Sequence, residues 1–390
     1  MSSSCPLCAS PGAQVFFDLP AMPVSIGVQW PSAAEARACG KGDLILAFCP
    51  SCGFIWNQAF DAGRLEYSQR YDNSLDFSPV FQDYARALAR RLIDAYDIRG
   101  KDVVEIGCGK GHFLSLLCEE GKNRGFGFDF SYEGVRFASA ASARITYVQD
   151  FYGEKYTGQA GDLICSRHVF EHIPDPLGFL GNVRRTIGER HSAVIYFEVP
   201  NVRFILEGLS IWDILYEHCN YFGRESLAGI FRRCGFQLLR LEESYGGQFL
   251  CIDCRLTGKG AAESAADDDV ADLAGAVARF SERAQAHLQS WRARLAELEK
   301  SGRRVAVWGG GTKGVSFLNM LKVFDAIPYV VDINPYKQGR FLPGTGQKII
   351  APPFLKEYRP DVVILMNPIY RDEVQVELQG ISIAAELWSV

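Results

Sequence analysis

The pattern of apolar and polar positions changes character several times along the chain. Residues 1 to about 65 are turn-rich and show no sustained periodicity. A polar-aromatic stretch, YSQRYDNSLDFSPVF, follows, and DYARALARRLIDAY then carries apolar residues at helical spacing. From Asp102 the rhythm becomes strand, glycine loop, helix, in DVVEIGCGKGHFLSLLCEEG. Apolar runs recur in GFGFDFS, ITYVQD, DLICSRH and AVIYFEVPN. With helices in the gaps, they predict a βαβ series and a parallel sheet. FQLLRLEESYGGQFLCIDCRL reads as late antiparallel strands of the same sheet.

GKGAAESAADDD is a linker-like run of small and acidic residues. After it, VADLAGAVARFSERAQAHLQSWRARLAELEK has the two faces of a long amphipathic helix, expected as a half-buried strut between domains. At Arg303 a second strand–glycine–helix unit begins, RRVAVWGGGTKGVSFLNML. A strand ending in Asp332, a loop (KQGRFLPGTGQ) and a further strand (DVVILMNP) complete a second, shorter Rossmann-like unit.

Composition narrows the function classes. A chain of 390 residues holds two or three domains, and 48% hydrophobic with 22% charged residues fits a globular protein. The net charge of −5 and the scattered basic residues argue against nucleic acid as a partner and leave a small-molecule substrate. No run approaches the roughly 20 apolar residues of a membrane helix, so no membrane partner is expected. MSSSCPLC lacks an apolar leader core, and the twelve cysteines are not laid out as a disulfide framework. Both point to a reducing, cytoplasmic setting.

Cys5-Pro-Leu-Cys8 and Cys49-Pro-Ser-Cys52-Gly53 are two CxxC knuckles. Four thiolates suit a closed, structural Zn²⁺ site, so these residues are the expected metal ligands. Cys39 is read as a bystander. Cys251 and Cys254 are read as core, because residues three apart on a strand face opposite ways.

The first glycine loop, Glu105-Ile-Gly107-Cys-Gly109-Lys-Gly111, fits E-x-G-x-G-x-G between a strand and a helix. Its spacing differs from the G-x-G-x-x-G of dinucleotide loops. Asp129 ends the next strand, where a carboxylate reaches ribose hydroxyls. Asp150 follows the third strand, within reach of an adenine amine or as a turn cap. Arg167 and His168 follow the fourth. Together these predict a binding site for S-adenosylmethionine. The second loop, Gly309-x-Gly311-x-x-Gly314 with Asp332 after it, matches the dinucleotide fingerprint. A helix N-terminus of this kind binds any pyrophosphate, including that of a nucleotide-sugar, and Lys313 adds a charge. A purely structural role and NAD binding stay open for this loop.

The motifs EIGCGKG, HVFEHIPDP, FEVPN, YEHCNYF, GGQF, WGGGTKG, VVDINPYKQGRFLPGT and RDEV, with the paired knuckles, span nearly the whole chain. In these the chain resembles the zinc-containing sugar C-methyltransferases of deoxysugar biosynthesis. The resemblance implies an α/β protein of three parts. These are an N-terminal four-cysteine zinc module (1–68), a central Rossmann-like class I methyltransferase domain (69–258), and a linker helix with a smaller Rossmann-like domain (259–390). It further implies methylation of the carbon next to the ketone of a nucleotide-linked 4-keto sugar. A base, a partner that orients it and a group for the enolate oxygen are then needed. His218 is the expected base and Glu217 its partner. His172 would stabilise the enolate or hold a water, and Tyr216 or Tyr221 would bind substrate oxygens. Tyr71 would cover the donor. Glu198, Asn201, Gly311, Lys313, Asp332 and Lys337 are the remaining substrate candidates. O- or N-methylation of another small molecule, and a non-catalytic scaffold, are the competing readings.

Overall fold

The computed structural model describes residues 4–65, 71–134, 136, 139–156, 159, 161–257 and 267–390. The chain opens with strand β1 (Gln14–Pro23), a short helix α1 (Ala33–Arg37) and strands β2 (Lys41–Phe48) and β3 (Ile55–Asn57). Helix α2 (Pro79–Tyr96) leads into β4 (Asp102–Ile106), α3 (His112–Gly121), β5 (Arg124–Phe128), β6 (Ile145–Val148) and β7 (Leu163–Arg167). Next come α4 (Pro176–Ile187), β8 (Val194–Pro200), α5 (Val202–Gly208), β9 (Asn220–Tyr221), α6 (Arg224–Arg233), β10 (Phe236–Ser244) and β11 (Phe249–Leu256). The long helix α7 (Asp267–Lys300) precedes β12 (Val305–Trp308), α8 (Thr312–Leu321), β13 (Tyr329–Val331) and β14 (Lys348–Ile350). The chain closes with α9 (Leu355–Tyr358), β15 (Val362–Leu365), α10 (Arg371–Gly380) and β16 (Glu386–Ser389).

Local chemistry explains where elements start. Helix α2 begins at Ser78, whose hydroxyl accepts the Phe81 N–H, with Pro79 in the first turn. Its apolar stripe, Phe81, Ala85, Leu88, Ala89, Leu92 and Ile93, is buried at helical spacing. Strands β4, β7 and β8 are buried on both faces almost throughout and sit mid-sheet.

The strands form three sheets, ordered β1-β2-β3-β9, β10-β11-β8-β7-β4-β5-β6 and β14-β13-β12-β15-β16. In the seven-stranded sheet β11 runs against its neighbours and the rest are parallel. The five-stranded sheet is parallel throughout. Cys251 packs on one face of the central sheet and Cys254 on the other, as the alternation of β11 requires.

The N-terminal sheet is completed from elsewhere in the chain. Strand β9 pairs Asn220 and Tyr221 with Trp56 and Ile55. Helix α7 buries Leu273, Val277, Phe280, Ala284, Leu288 and Trp291 in a cluster shared with β1, β2, α5, β12 and α8. It is the strut the pattern predicts, and each of its larger buried side chains contributes roughly 1.5–3 kcal/mol.

Candidate active site

Strand order reverses between β4 and β7 in the central sheet and between β12 and β15 in the last one. Ligands in open α/β sheets bind at the carboxyl ends of strands beside such a reversal. Here both switch points open onto one cavity of about 400 Å³, lined by Glu105, Gly107, Arg167 and His168 on one side and Trp308, Gly309, Met366 and Asn367 on the other.

On the first side, Gly107 is left-handed (φ 74) and a Cβ there would meet Val169 Cγ2 at 2.1 Å. Only glycine passes at this point. The Gly109 N–H donates to Asp129 Oδ2 (2.8 Å), and Ser131 N donates to Asp129 Oδ1 (2.7 Å). Glu105 is buried, and its Oε2 has no hydrogen-bond partner. Burial pushes its carboxyl up to about 8 against the pull of the Arg167 charge. A buried carboxyl with one oxygen left without a partner beside a glycine loop fits a ligand that brings its own cation, as S-adenosylmethionine does.

Behind the loop, Glu198 is the hub of a buried network. It accepts from Arg167 Nε (3.0 Å), Tyr196 OH (2.8 Å) and the Tyr84 hydroxyl, and it forms an ion pair with His168, whose Nε2 lies 2.9 Å away. Burial opposes its charge, but Arg167 and these donors hold it well below the usual carboxylate range. Burial likewise opposes the His168 cation, yet Glu171 and Glu198 outweigh it and push His168 up to about 9. Arg167 lies 4.3 Å from the Phe113 ring centre, which stacks its guanidinium at the cavity wall.

His172 and His218 face each other with ring centroids 4.8 Å apart at 85°. Both line the cavity. The Nδ1 atoms of both, and Glu171 Oε2, are buried without a hydrogen-bond partner. Burial, helped by the neighbouring His172, drives the His218 pKa well down, so its ring is neutral. Glu217 accepts from Ile26 N (2.5 Å), Gly27 N (3.3 Å) and Tyr71 OH (3.2 Å). It ties the loop carrying His218 to the N-terminal module.

The second glycine loop repeats the wiring of the first. Gly310 N donates to Asp332 Oδ2 (3.0 Å), and Asn334 N donates to Asp332 Oδ1 (2.8 Å). A Cβ on Gly314 would meet Gly309 O at 2.1 Å, so helix and loop pack backbone to backbone. Lys337 Nζ lies 3.6 Å from Asp332. Lys313 is already paired with Asp213, and its Nζ donates to Ser210 Oγ (3.2 Å).

At the far end of the N-terminal sheet the four knuckle cysteines converge. Cys5 and Cys52 Sγ lie 3.7 Å apart, and Cys8 and Cys49 Sγ 3.6 Å apart. A tetrahedron with Zn–S bonds near 2.3 Å has edges of about 3.8 Å, so the four sulfurs are compatible with one zinc ion. Each knuckle turns through a left-handed residue, Ala9 (φ 61) and Gly53 (φ 70). Cys5 and Cys49 pack in the same core as Phe54, Phe170 and Phe222, which couples the cluster to the turn carrying His172.

Two family models match the chain: a methyltransferase domain over residues 78–241 and a C-methyltransferase C-terminal domain over residues 260–385. The chain is an S-adenosylmethionine-dependent methyltransferase. The methyltransferase is 26% identical to C-methyltransferase NovU of Streptomyces niveus over 73% of this chain and 72% of that one. A ubiquinone biosynthesis O-methyltransferase of Vibrio campbellii is 26% identical over 34% of this chain and 58% of its own length. Among solved structures, the Burkholderia thailandensis 1,6-didemethyltoxoflavin-N1-methyltransferase with bound S-adenosylhomocysteine covers 46% of this chain and 82% of its own at 16% identity and a TM-score of 0.35. No helix among the described residues of the methyltransferase is long and apolar enough to cross a membrane.

Of the residues singled out from the sequence, Tyr71, Glu105, Gly107, Gly109, Asp129, Arg167, His168, His172, His218, Gly311, Lys313, Asp332 and Lys337 line the cavity. The others sit off it. Asp150 turns to Lys155 and to Tyr156 OH (2.7 Å), so its carboxylate is spent locally. Asn201 caps α5 and donates to Gly247 O (3.0 Å). The Tyr216 hydroxyl accepts from Asp61 N (3.0 Å), and its ring packs on Gly42. Tyr221 OH donates to Leu215 O (2.9 Å). Gly111 caps α3 beneath Tyr147, and Glu198 and Glu217 lie in the wall. Sequence reasoning missed the Asp76–His112 pair (2.9 Å) and the seam of Gln248 with Asn367 (2.8 Å) and Tyr245 with Tyr370 (2.7 Å). The GGQF motif was the available signal for Gln248.

Proposed function

We propose that the enzyme methylates a carbon next to the ketone of a nucleotide-linked 4-keto sugar, with the sugar between the histidine pair and the first glycine loop. The nucleotide end lies toward the second loop, where Gly311 and Lys337 line the cavity. Bound at the first loop, S-adenosylmethionine supplies an electrophilic methyl group. His218, kept neutral by burial, takes the proton from the carbon. The C–H electrons pass onto the ketone oxygen, and His172 steadies the enolate there. The new C–C bond forms as the sulfur–methyl bond breaks, and the proton leaves through His218 to solvent. Glu217 is a positioning residue, and the four cysteines hold a structural Zn²⁺ that fixes the module.

The observation that carries this reading is the pair of cavity-facing histidines whose buried Nδ1 atoms have no partner in the protein. Such atoms are expected where a substrate completes the hydrogen bonding. The test is proton exchange in heavy water, with the keto sugar and S-adenosylhomocysteine present. Deuterium should enter at the carbon beside the ketone with the native enzyme and not with His218→Ala. Exchange that survives His218→Ala, or no exchange at any 4-keto sugar, would overturn it.

A further inference from the structure

We propose that Glu171, His172 and His218 form a second divalent-cation site, separate from the four-cysteine cluster, that takes Zn²⁺ or a similar borderline ion and switches the enzyme off when filled. The inhibition rests on the reading of His218 as base; the binding does not. One ligand atom from each of the three residues lies within 4.8 Å of the other two. His172 Nδ1, His218 Nδ1 and Glu171 Oε2 are buried and unpartnered. Two imidazoles and one carboxylate are a donor set for Zn²⁺, Fe²⁺ or Co²⁺, and one side open to the cavity leaves positions for water or substrate.

The geometry needs only a small closure. Ligand atoms on one ion with bonds near 2.1 Å stand about 3.4 Å apart, so the set must draw in by about 1 Å. His172 and Glu171 lie in a single turn, Phe170–His172, and His218 on a separate loop, so side-chain rotation alone can supply this. Glu171 is held from behind, with its Oε1 3.7 Å from His168 Nδ1. That neighbour orients the carboxylate and leaves the Oε2 side for the ion, the usual arrangement behind a metal ligand. A bound ion takes the lone pair with which His218 would accept the proton, and it occupies the His172 nitrogen that would otherwise carry the N–H offered to the enolate oxygen.

The test uses the full chain with its cysteine site already loaded with zinc. Equilibrium dialysis against micromolar free Zn²⁺ should give two ions per chain. His172→Ala, His218→Ala and Glu171→Gln should each weaken the second by at least about tenfold. Calorimetric binding of S-adenosylmethionine by each variant checks that it is folded. Co²⁺ taken up as the second equivalent should lack thiolate charge-transfer absorption, and Zn²⁺ should suppress methyl transfer over the concentration range in which this ion binds. A single ion per chain, or a second ion retained by His172→Ala, would overturn the site. Faster turnover with the second ion would overturn its role as an inhibitor. If 4-keto sugars are not the substrates, dialysis and cobalt absorption still decide whether the site exists.

Discussion

Replacing Glu198 with glutamine probes how far the donor pocket depends on the network behind it. In the native protein this carboxylate neutralises Arg167 at 3.0 Å and His168 at 2.9 Å, and all three lie at the ends of adjacent central strands. Glutamine keeps the shape but not the charge, leaving a buried guanidinium without its paired carboxylate and the His168 imidazolium with Glu171 alone. Breaking a buried pair from one side costs about 3–5 kcal/mol. For a domain of this size that lowers Tm by roughly 10 °C. The assay is thermal unfolding followed by circular dichroism, with donor affinity measured below the transition. Donor affinity should fall too, because Arg167 lines the cavity and loses its anchor. His168 adds a pH signature. Its proton stabilises the native fold fully below the unfolded pKa of about 6.5, and that stabilisation is lost as pH rises through about 9. The native protein therefore loses stability between those limits, and Glu198→Gln flattens the slope. A variant that melts within 1–2 °C of native (about 0.5 kcal/mol), with unchanged donor affinity, would refute the argument.

Cys49→Ser should lose zinc, and most activity with it, because the cluster shares a core with the turn carrying His172; zinc content by metal analysis and turnover measured together check this. S-adenosylmethionine should bind more tightly as pH rises toward about 8, since a cationic ligand favours the ionised form of Glu105, by up to about tenfold per pH unit, and level off above it. Calorimetry across that range should find this dependence absent in Glu105→Gln. Tyr216→Phe should leave turnover within about twofold of native and cost about 1 kcal/mol in stability, the loss of one hydrogen bond to Asp61; a hundredfold loss of turnover would return Tyr216 to the active site.

The two strand–loop–helix units were legible because apolar period and glycine spacing are local properties. So were the four cysteines, whose knuckles are set by turns of a few residues. What the sequence hid is long-range. Strand β9 is two residues that pair with β3 across more than 160 positions, with no pattern of its own. Glu217 is fixed by backbone N–H groups at Ile26 and Gly27, partners that no spacing rule connects. Tyr216 looked catalytic because it stands beside Glu217 and His218. A turn at 216–217 sends neighbouring side chains apart, and Tyr216 goes into the N-terminal module. Asp150 had a suitable place after a strand, but Lys155 and Tyr156, five and six residues on, claimed its carboxylate. In each of these cases a structural partner competed successfully for a polar group the sequence had assigned to function.

The most direct measurement is methyl transfer itself. The enzyme is incubated with S-adenosylmethionine carrying a ¹³C methyl group and a panel of nucleotide-linked 4-keto sugars, and the product is read by carbon NMR. The account predicts a new methyl carbon bonded to the ring carbon next to the ketone, formed by the native enzyme and not by His218→Ala. A label found on oxygen or nitrogen, or transfer that proceeds unchanged without His218, would contradict it.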